Sequence, residues 1–160
     1  EFILASEIDE ISASYSSDLM FVGSNIEKIT YVPGETYNLT IEGGYSSGSP
    51  FSGADKLTTI ELPAGTILSD YAFKGLTTVT SINLEGVTRL GYYCFEDCTI
   101  SEITIPSSVT STDYYPFYGW TADQTIYLPF AEGEVPSGWN SNWSYNCDAK
   151  IVYADTTVTE

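Results

Sequence analysis

A repeat solenoid of short parallel strands is the fold class this sequence predicts, because two columns of residues recur in step. Phe73, Phe95 and Phe117 lie 22 residues apart, and the same step reaches back to Phe51 and forward to Trp139. In phase with them come apolar pairs: Leu39/Ile41, Ile60/Leu62, Ile82/Leu84, Ile103/Ile105, Ile126/Leu128 and Ile151/Tyr153, with steps of 21, 22, 21, 23 and 25 residues. Self-similarity at a fixed period of roughly 20–50 residues marks units that bury their apolar faces against one another.

Each apolar pair alternates over three residues and is bounded by turn formers, which predicts a very short strand. Alone, such a strand cannot bury its apolar side. Copies stacked about 4.8 Å apart form a parallel sheet over a continuous core. Pro63, Pro106 and Pro129 follow three of the pairs and mark where the chain leaves the sheet, since Pro cannot continue a central ladder. The Phe column then belongs to the return arm, with each ring stacked on its counterpart in the next coil. Ala72 and Cys94 are small where backbones pass close, and Pro50 and Pro116 in that same column argue against helical return arms. Two residues after the rings come Gly53, Gly75, Asp97 and Gly119, all suited to turns.

A solenoid needs capped ends. Residues 1–38 are expected to form the N-terminal cap. In it, Ile26–Val32 turns at Pro33-Gly34 and returns as Tyr37–Ile41 in a β-hairpin. Ile8 and Ile11, at helical spacing among acids, suggest a short helix before it. Residues 39–155 form the solenoid proper, at about 22 residues per coil, and its last unit is a cap. The long Phe130–Ala149 return, carrying Trp139 and Trp143, folds over the last coil, and residues 156–160 are a tail or linker. The opening Glu1-Phe2, without Met or leader, suggests an excised piece with a remnant of processing at its front.

Composition narrows function. Asp and Glu number 22 against five Lys and Arg, a net charge of −17. Such a surface repels phosphate backbones and anionic lipid, so neither nucleic acid nor a membrane surface is expected as a partner. No apolar run approaches the roughly 20 residues of a membrane helix. The sequence has no His, which removes the commonest general base and metal ligand. The acids Glu7/Asp9/Glu10, Glu96/Asp97 and Glu132/Glu134 lie in caps and loops as solvated surface, and no calcium loop or nucleotide motif is present. No catalytic, cofactor or metal site is expected. Cys94, Cys98 and Cys147 are too few and too odd for a disulfide framework. They suit small buried hydrophobes, with one disulfide and a spare thiol as the alternative.

The stretches LTTIELPAGTILSDYAFKG, VTSINLEGVTRLGYYCFEDC and ISEITIPSSVTSTDYYPFYGW resemble units of the BspA-like leucine-rich repeat, over roughly Leu39–Asp155. Ser111-Thr112 and Glu85-Gly86 depart from its usual apolar-Gly and Pro-x positions. The resemblance implies a right-handed solenoid with one concave parallel sheet and irregular return arms. It also implies a bacterial cell-surface or secreted protein used for adhesion, which binds protein or glycan on host or other cells. A structural spacer that displays another domain is the alternative. On that analogy the ligand-facing sheet positions are Thr40, Glu61, Asn83, Thr104 and Tyr127, with Val152 after them. Tyr71, Tyr93 and Tyr115, two places before the rings and flanked by Tyr92 and Tyr114, form an aromatic stripe that either binds or packs between coils.

Overall fold

The structure, a computed structural model, describes residues 1–13 and 19–154. The expected linker from 156, the last residue of the expected solenoid and residues 14–18 after the candidate helix lie outside them. Thirteen strands and no helix occur among the described residues. In chain order they are β1 (Phe2–Leu4), β2 (Glu10–Ser12), β3 (Lys28–Tyr31), β4 (Thr40–Glu42), β5 (Thr59–Glu61), β6 (Ile67–Leu68), β7 (Ser81–Asn83), β8 (Arg89–Leu90), β9 (Glu102–Thr104), β10 (Ser111–Thr112), β11 (Thr125–Tyr127), β12 (Gly138–Trp139) and β13 (Lys150–Val152).

Every strand pair is parallel, and odd strands pair only with odd, even only with even. The chain is therefore a β-solenoid with two strand-bearing faces. The first runs β1-β3-β5-β7 and then β9-β11-β13; the second runs unbroken from β2 through β4, β6, β8 and β10 to β12. A second sheet thus stands in the return arms that were expected to be irregular. Its strands are two or three residues long and offer one inward side chain each: Ile11, Ile41, Leu68, Leu90, Thr112 and Trp139.

On the first face the inward column is Phe2, Ile29, Ile60, Ile82, Ile103, Ile126 and Ile151. From Ile60 onward this is the predicted column. Before it, the expectation fails. Ile41 pairs with Ile11 and Leu68 on the second face, so Leu39/Ile41 does not precede Ile60/Leu62 in one sheet. The predicted N-terminal hairpin does not form either: β3 pairs in parallel with β1 and β5, while β4 goes to the other face. Part of the candidate helix is strand β2, and Phe2, expected as a remnant, packs edge-on against Phe21 with centroids 5.3 Å apart.

The first face is interrupted between β7 and β9, which are neighbours without a ladder. The break is local to this face: the second face keeps its ladder and its 22-residue step from Leu68 to Leu90 to Thr112.

The interior is a ladder of rings. Phe21–Phe51, Phe51–Phe73, Phe73–Phe95 and Phe95–Phe117 have centroids 5.4–5.7 Å apart, and all but Phe21 are 0–1% exposed. The rung after Phe117 is Trp143, edge-on at 6.2 Å, and not Trp139. Trp139 instead sits opposite Thr112 on the second face, where its indole N–H donates to the Val109 carbonyl at 2.9 Å. The long return does fold onto the preceding coil as expected, through both tryptophans.

Polar atoms beside the ladder are satisfied between coils. The Cys98 thiol donates to the Phe73 carbonyl at 2.8 Å, and Trp120 Nε1 does the same to Phe95 at 2.8 Å. The Gln124 amide donates to the carbonyls of Cys98 and Ile100, both at 2.9 Å. The cysteines form no disulfide. Burial pushes the Cys94 thiol well up and Cys98 up to about 12, and it raises half-buried Cys147 as well. Since the thiolate is the nucleophile, a thiol reagent at neutral pH should label Cys147 first. Cys94 and Cys98 should react only as the coil opens in denaturant. Equal labelling of all three in the native protein would contradict this core.

Candidate binding faces

The outward side chains of the first face form a column that begins with Ile3 and Thr30. It continues through Glu61 and Asn83 to Thr104, Tyr127 and Val152. Four of the five sheet positions expected to meet ligand, Glu61, Asn83, Thr104 and Tyr127, are on this face. Thr40 is not: it belongs to β4 on the second face, and Thr30 holds its place. The signal that could have found Thr30 was the Lys-Ile-Thr-Tyr alternation, hidden by the 31 residues from Ile29 to Ile60.

Electrostatics on this face are local. Glu61 takes a hydrogen bond from Thr30 Oγ1 at 2.7 Å and an ion pair from Lys28 Nζ at 2.7 Å. The Lys28 ammonium, and after it the Thr30 hydroxyl, hold its carboxyl below the ordinary range. Where the ladder lapses between β7 and β9, a cleft of about 340 Å³ opens, lined by Ser81, Asn83, Glu85, Glu102 and Thr104 over partly buried Ile82. Two of the expected positions, Asn83 and Thr104, thus meet across it. Glu61 and Tyr127 lie away from it on either side.

The tyrosines gather at a different corner. Tyr71 and Tyr93 stack with planes 4° apart at 5.9 Å, and Tyr93 continues to Tyr115 at 5.6 Å. Tyr92 bridges Tyr71 and Tyr115, and the column extends to Tyr45 at one end and Tyr145 at the other. The three stripe residues named from sequence are therefore one contiguous surface. Sequence reasoning missed Tyr45 and Tyr145, which are 76% and 59% exposed, and half-buried Tyr118.

Backbone geometry explains why the column is regular. Tyr71, Tyr93 and Tyr115 have φ of 57°, 54° and 59°, the left-handed region that non-glycine residues rarely occupy. Four residues on, Gly75, Asp97 and Gly119 repeat it at 71°, 55° and 81°. The two left-handed residues turn the chain sharply at each end of a ring-bearing arc. The arc is clamped between coils by Tyr71 N–H to Tyr92 O at 2.9 Å, Phe73 N–H to Cys94 O at 2.7 Å and Gly75 N–H to Glu96 O at 2.8 Å. A bulky residue held left-handed costs about 1–3 kcal/mol, and here it recurs in three successive coils.

Acids surround this surface. Asp70 and Glu96 lie close enough to raise the Tyr71 hydroxyl pKa, after the larger effect of burial. Lys74 pairs with Glu96 at 2.9 Å and lies 4.8 Å from the Tyr45 ring centroid; Arg89 pairs with Asp113. Two of the chain's five cations are thus already neutralised here.

Among the described residues, no three acid or cysteine side chains converge as a metal site, and no helix is long and apolar enough to cross a membrane. The two faces are open sheet and side-chain surface, the arrangement of an interaction scaffold. The family follows from the repeat: the model of the BspA type leucine rich repeat region matches residues 47–154 in six copies, and the chain belongs to that family. No curated protein and no solved structure matches the chain. Members of the family are associated with bacterial surface or secreted proteins, and leucine-rich repeat solenoids serve in general as non-enzymatic protein-interaction scaffolds.

Proposed function

We propose that this chain is a non-enzymatic, extracellular binding module of a bacterial surface protein, which engages protein or glycan on host or neighbouring cells in adhesion. The observation that carries this reading is the tyrosine surface. A packing role alone asks for buried rings, yet Tyr45, Tyr114 and Tyr145 are 76%, 49% and 59% exposed at the edge of a column built on left-handed backbone. Tyr supplies large contact area at low entropic cost and is enriched where binding energy concentrates. The first face, with Glu61, Asn83, Thr104 and Tyr127, is a second surface for the same role. A spacer with no ligand of its own is the competing reading, favoured by the ring-to-ring packing between coils.

Immobilised protein probed with host matrix proteins and a glycan array separates the two. Saturable retention that falls in the double variant Tyr45→Ala/Tyr114→Ala, or in Tyr127→Ala, supports the module. Absence of any saturable partner across both panels supports the spacer.

A further inference from the structure

The tyrosine column sets the chemistry of what it can hold. The rings of Tyr71 and Tyr93 are parallel and offset, each partly shielding the other's face, so the centre of the column presents mainly ring edges to a partner. Sugar rings stack on open aromatic faces, which this column does not offer along its centre. A polyproline-II strand suits it better. Such a strand has no internal hydrogen bonds, so all its carbonyls are free to accept from phenol hydroxyls. Its prolyl rings pack between aromatic ridges, and its rigidity lowers the ordering cost of binding.

The spacing agrees. A polyproline-II turn advances about 9.3 Å per three residues, and two coils of stacked parallel strands advance about 9.6 Å. A proline at every third position therefore meets every second coil, Tyr71 and Tyr115 for example. The ring centroids are farther apart than the coil rise because offset rings are displaced sideways as well. Charge adds the rest. Asp70 flanks the column within a chain of net charge −17, and the local cations Lys74 and Arg89 are taken up by Glu96 and Asp113, so neither is free to repel a basic segment. Burial, and then Tyr92, push the Tyr93 hydroxyl pKa upward, so it stays an O–H donor at any physiological pH.

We infer that the column of Tyr71, Tyr93 and Tyr115, with exposed Tyr45, Tyr114 and Tyr145 beside it, is a docking surface for a basic, proline-rich segment in polyproline-II form. The segment lies along the solenoid axis. The inference rests on the binding-module reading and names its partner class.

The test uses a fluorescein-labelled peptide of four Arg-Pro-Pro repeats, with four Arg-Gly-Gly repeats as the flexible control of equal charge, read by anisotropy against the whole chain. The expected result is saturable binding of the proline peptide, at least about tenfold tighter than the glycine peptide, since preorganisation separates the two. Tyr45→Ala/Tyr114→Ala should weaken it about tenfold or more while the circular dichroism spectrum stays native. Tyr114→Phe should weaken it by a smaller factor through loss of a hydroxyl. Equal binding of both peptides would reduce the surface to an acidic patch and overturn the inference. So would proline-peptide binding indifferent to the tyrosines. If neither peptide binds but the glycan array or a matrix protein is retained in a tyrosine-dependent way, the partner class is wrong and the binding module stands. If nothing is retained in any arm, both fall.

Discussion

Phe95→Ala is expected to lower the unfolding free energy by about 3–5 kcal/mol, the range for truncating a fully buried aromatic. Phe95 is 0% exposed and sits mid-ladder, stacked on Phe117 with planes 8° apart and on Phe73 at 5.4 Å, with Trp120 edge-on. Removing it leaves a void that the neighbours cannot fill, because their backbones are hydrogen-bonded coil to coil: Phe73 N–H to Cys94 O and Phe95 N–H to Pro116 O. The loss also has a shape. In a solenoid each unit touches only its neighbours, so stability is a sum of unit and interface contributions. A missing central rung weakens two interfaces at once, at the level where the first face already lacks a ladder between β7 and β9. Urea unfolding followed by tryptophan fluorescence should then show a lower midpoint and a broader transition, since Trp120, Trp139 and Trp143 all report the C-terminal side. Tyr145→Ala, at an exposed ring, is the matched control, with a change of about 0.5 kcal/mol or less. A loss under about 1 kcal/mol for Phe95→Ala would mean the ladder is not the core.

What was legible in the sequence divides along physical lines. Phe73, Phe95 and Phe117 announced their stack because a buried ring leaves a large residue at a constant step. Ile60 through Ile151 announced the first face because their strands alternate. The turn residues Gly53, Gly75, Asp97 and Gly119 all prove left-handed, at 77°, 71°, 55° and 81°. The second sheet was silent. Strands such as Ile67–Leu68 and Arg89–Leu90 present one inward residue per coil, so no alternation exists to detect. In the N-terminal coils 31 residues separate Ile29 from Ile60, so an equal step back from Ile60 lands on Ile41, which belongs to the second face. Trp139 was set on the wrong column by the same assumption at the other end, where the return is longer. For the two candidate faces, sequence marks Glu61, Asn83, Thr104, Tyr127 and the three stripe tyrosines, but points to Thr40 where the first face carries Thr30. It gave no sign that tyrosines would occupy left-handed backbone, because propensity argues against it and only neighbouring coils hold them there.

Gly91→Ala is expected to be among the most costly single methyls that can be added to this chain, about 3 kcal/mol or more, the upper end for overpacking. Its backbone has no special φ, and its need for glycine is one of space. A Cβ there would lie 2.6 Å from Ser69 O and 2.7 Å from Asp70 N, both backbone atoms of the preceding coil. Those atoms cannot retreat, since Gly91 N–H itself donates to Leu68 O at 2.7 Å and Tyr71 N–H to Tyr92 O at 2.9 Å, which fixes the gap on either side. Gly43 and Gly138 face the same conflict, against the carbonyls of Tyr71 and Thr110. Gly75 is the contrast. Its φ is +71° but a Cβ would meet nothing within 4 Å, so Gly75→Ala carries only the left-handed penalty of about 1–2 kcal/mol. Urea midpoints for the two variants should therefore rank Gly91→Ala well below Gly75→Ala, and the reverse order would mean the coils are not in contact where Gly91 lies. The proposed binding surface depends on the same gap. Gly91 immediately precedes Tyr92 and Tyr93, and its close approach to Ser69 sets Tyr93 over Tyr71. A methyl that forces the coils apart there would break the tyrosine column at its centre, so any partner held along the column should be lost even under conditions where Gly91→Ala remains folded.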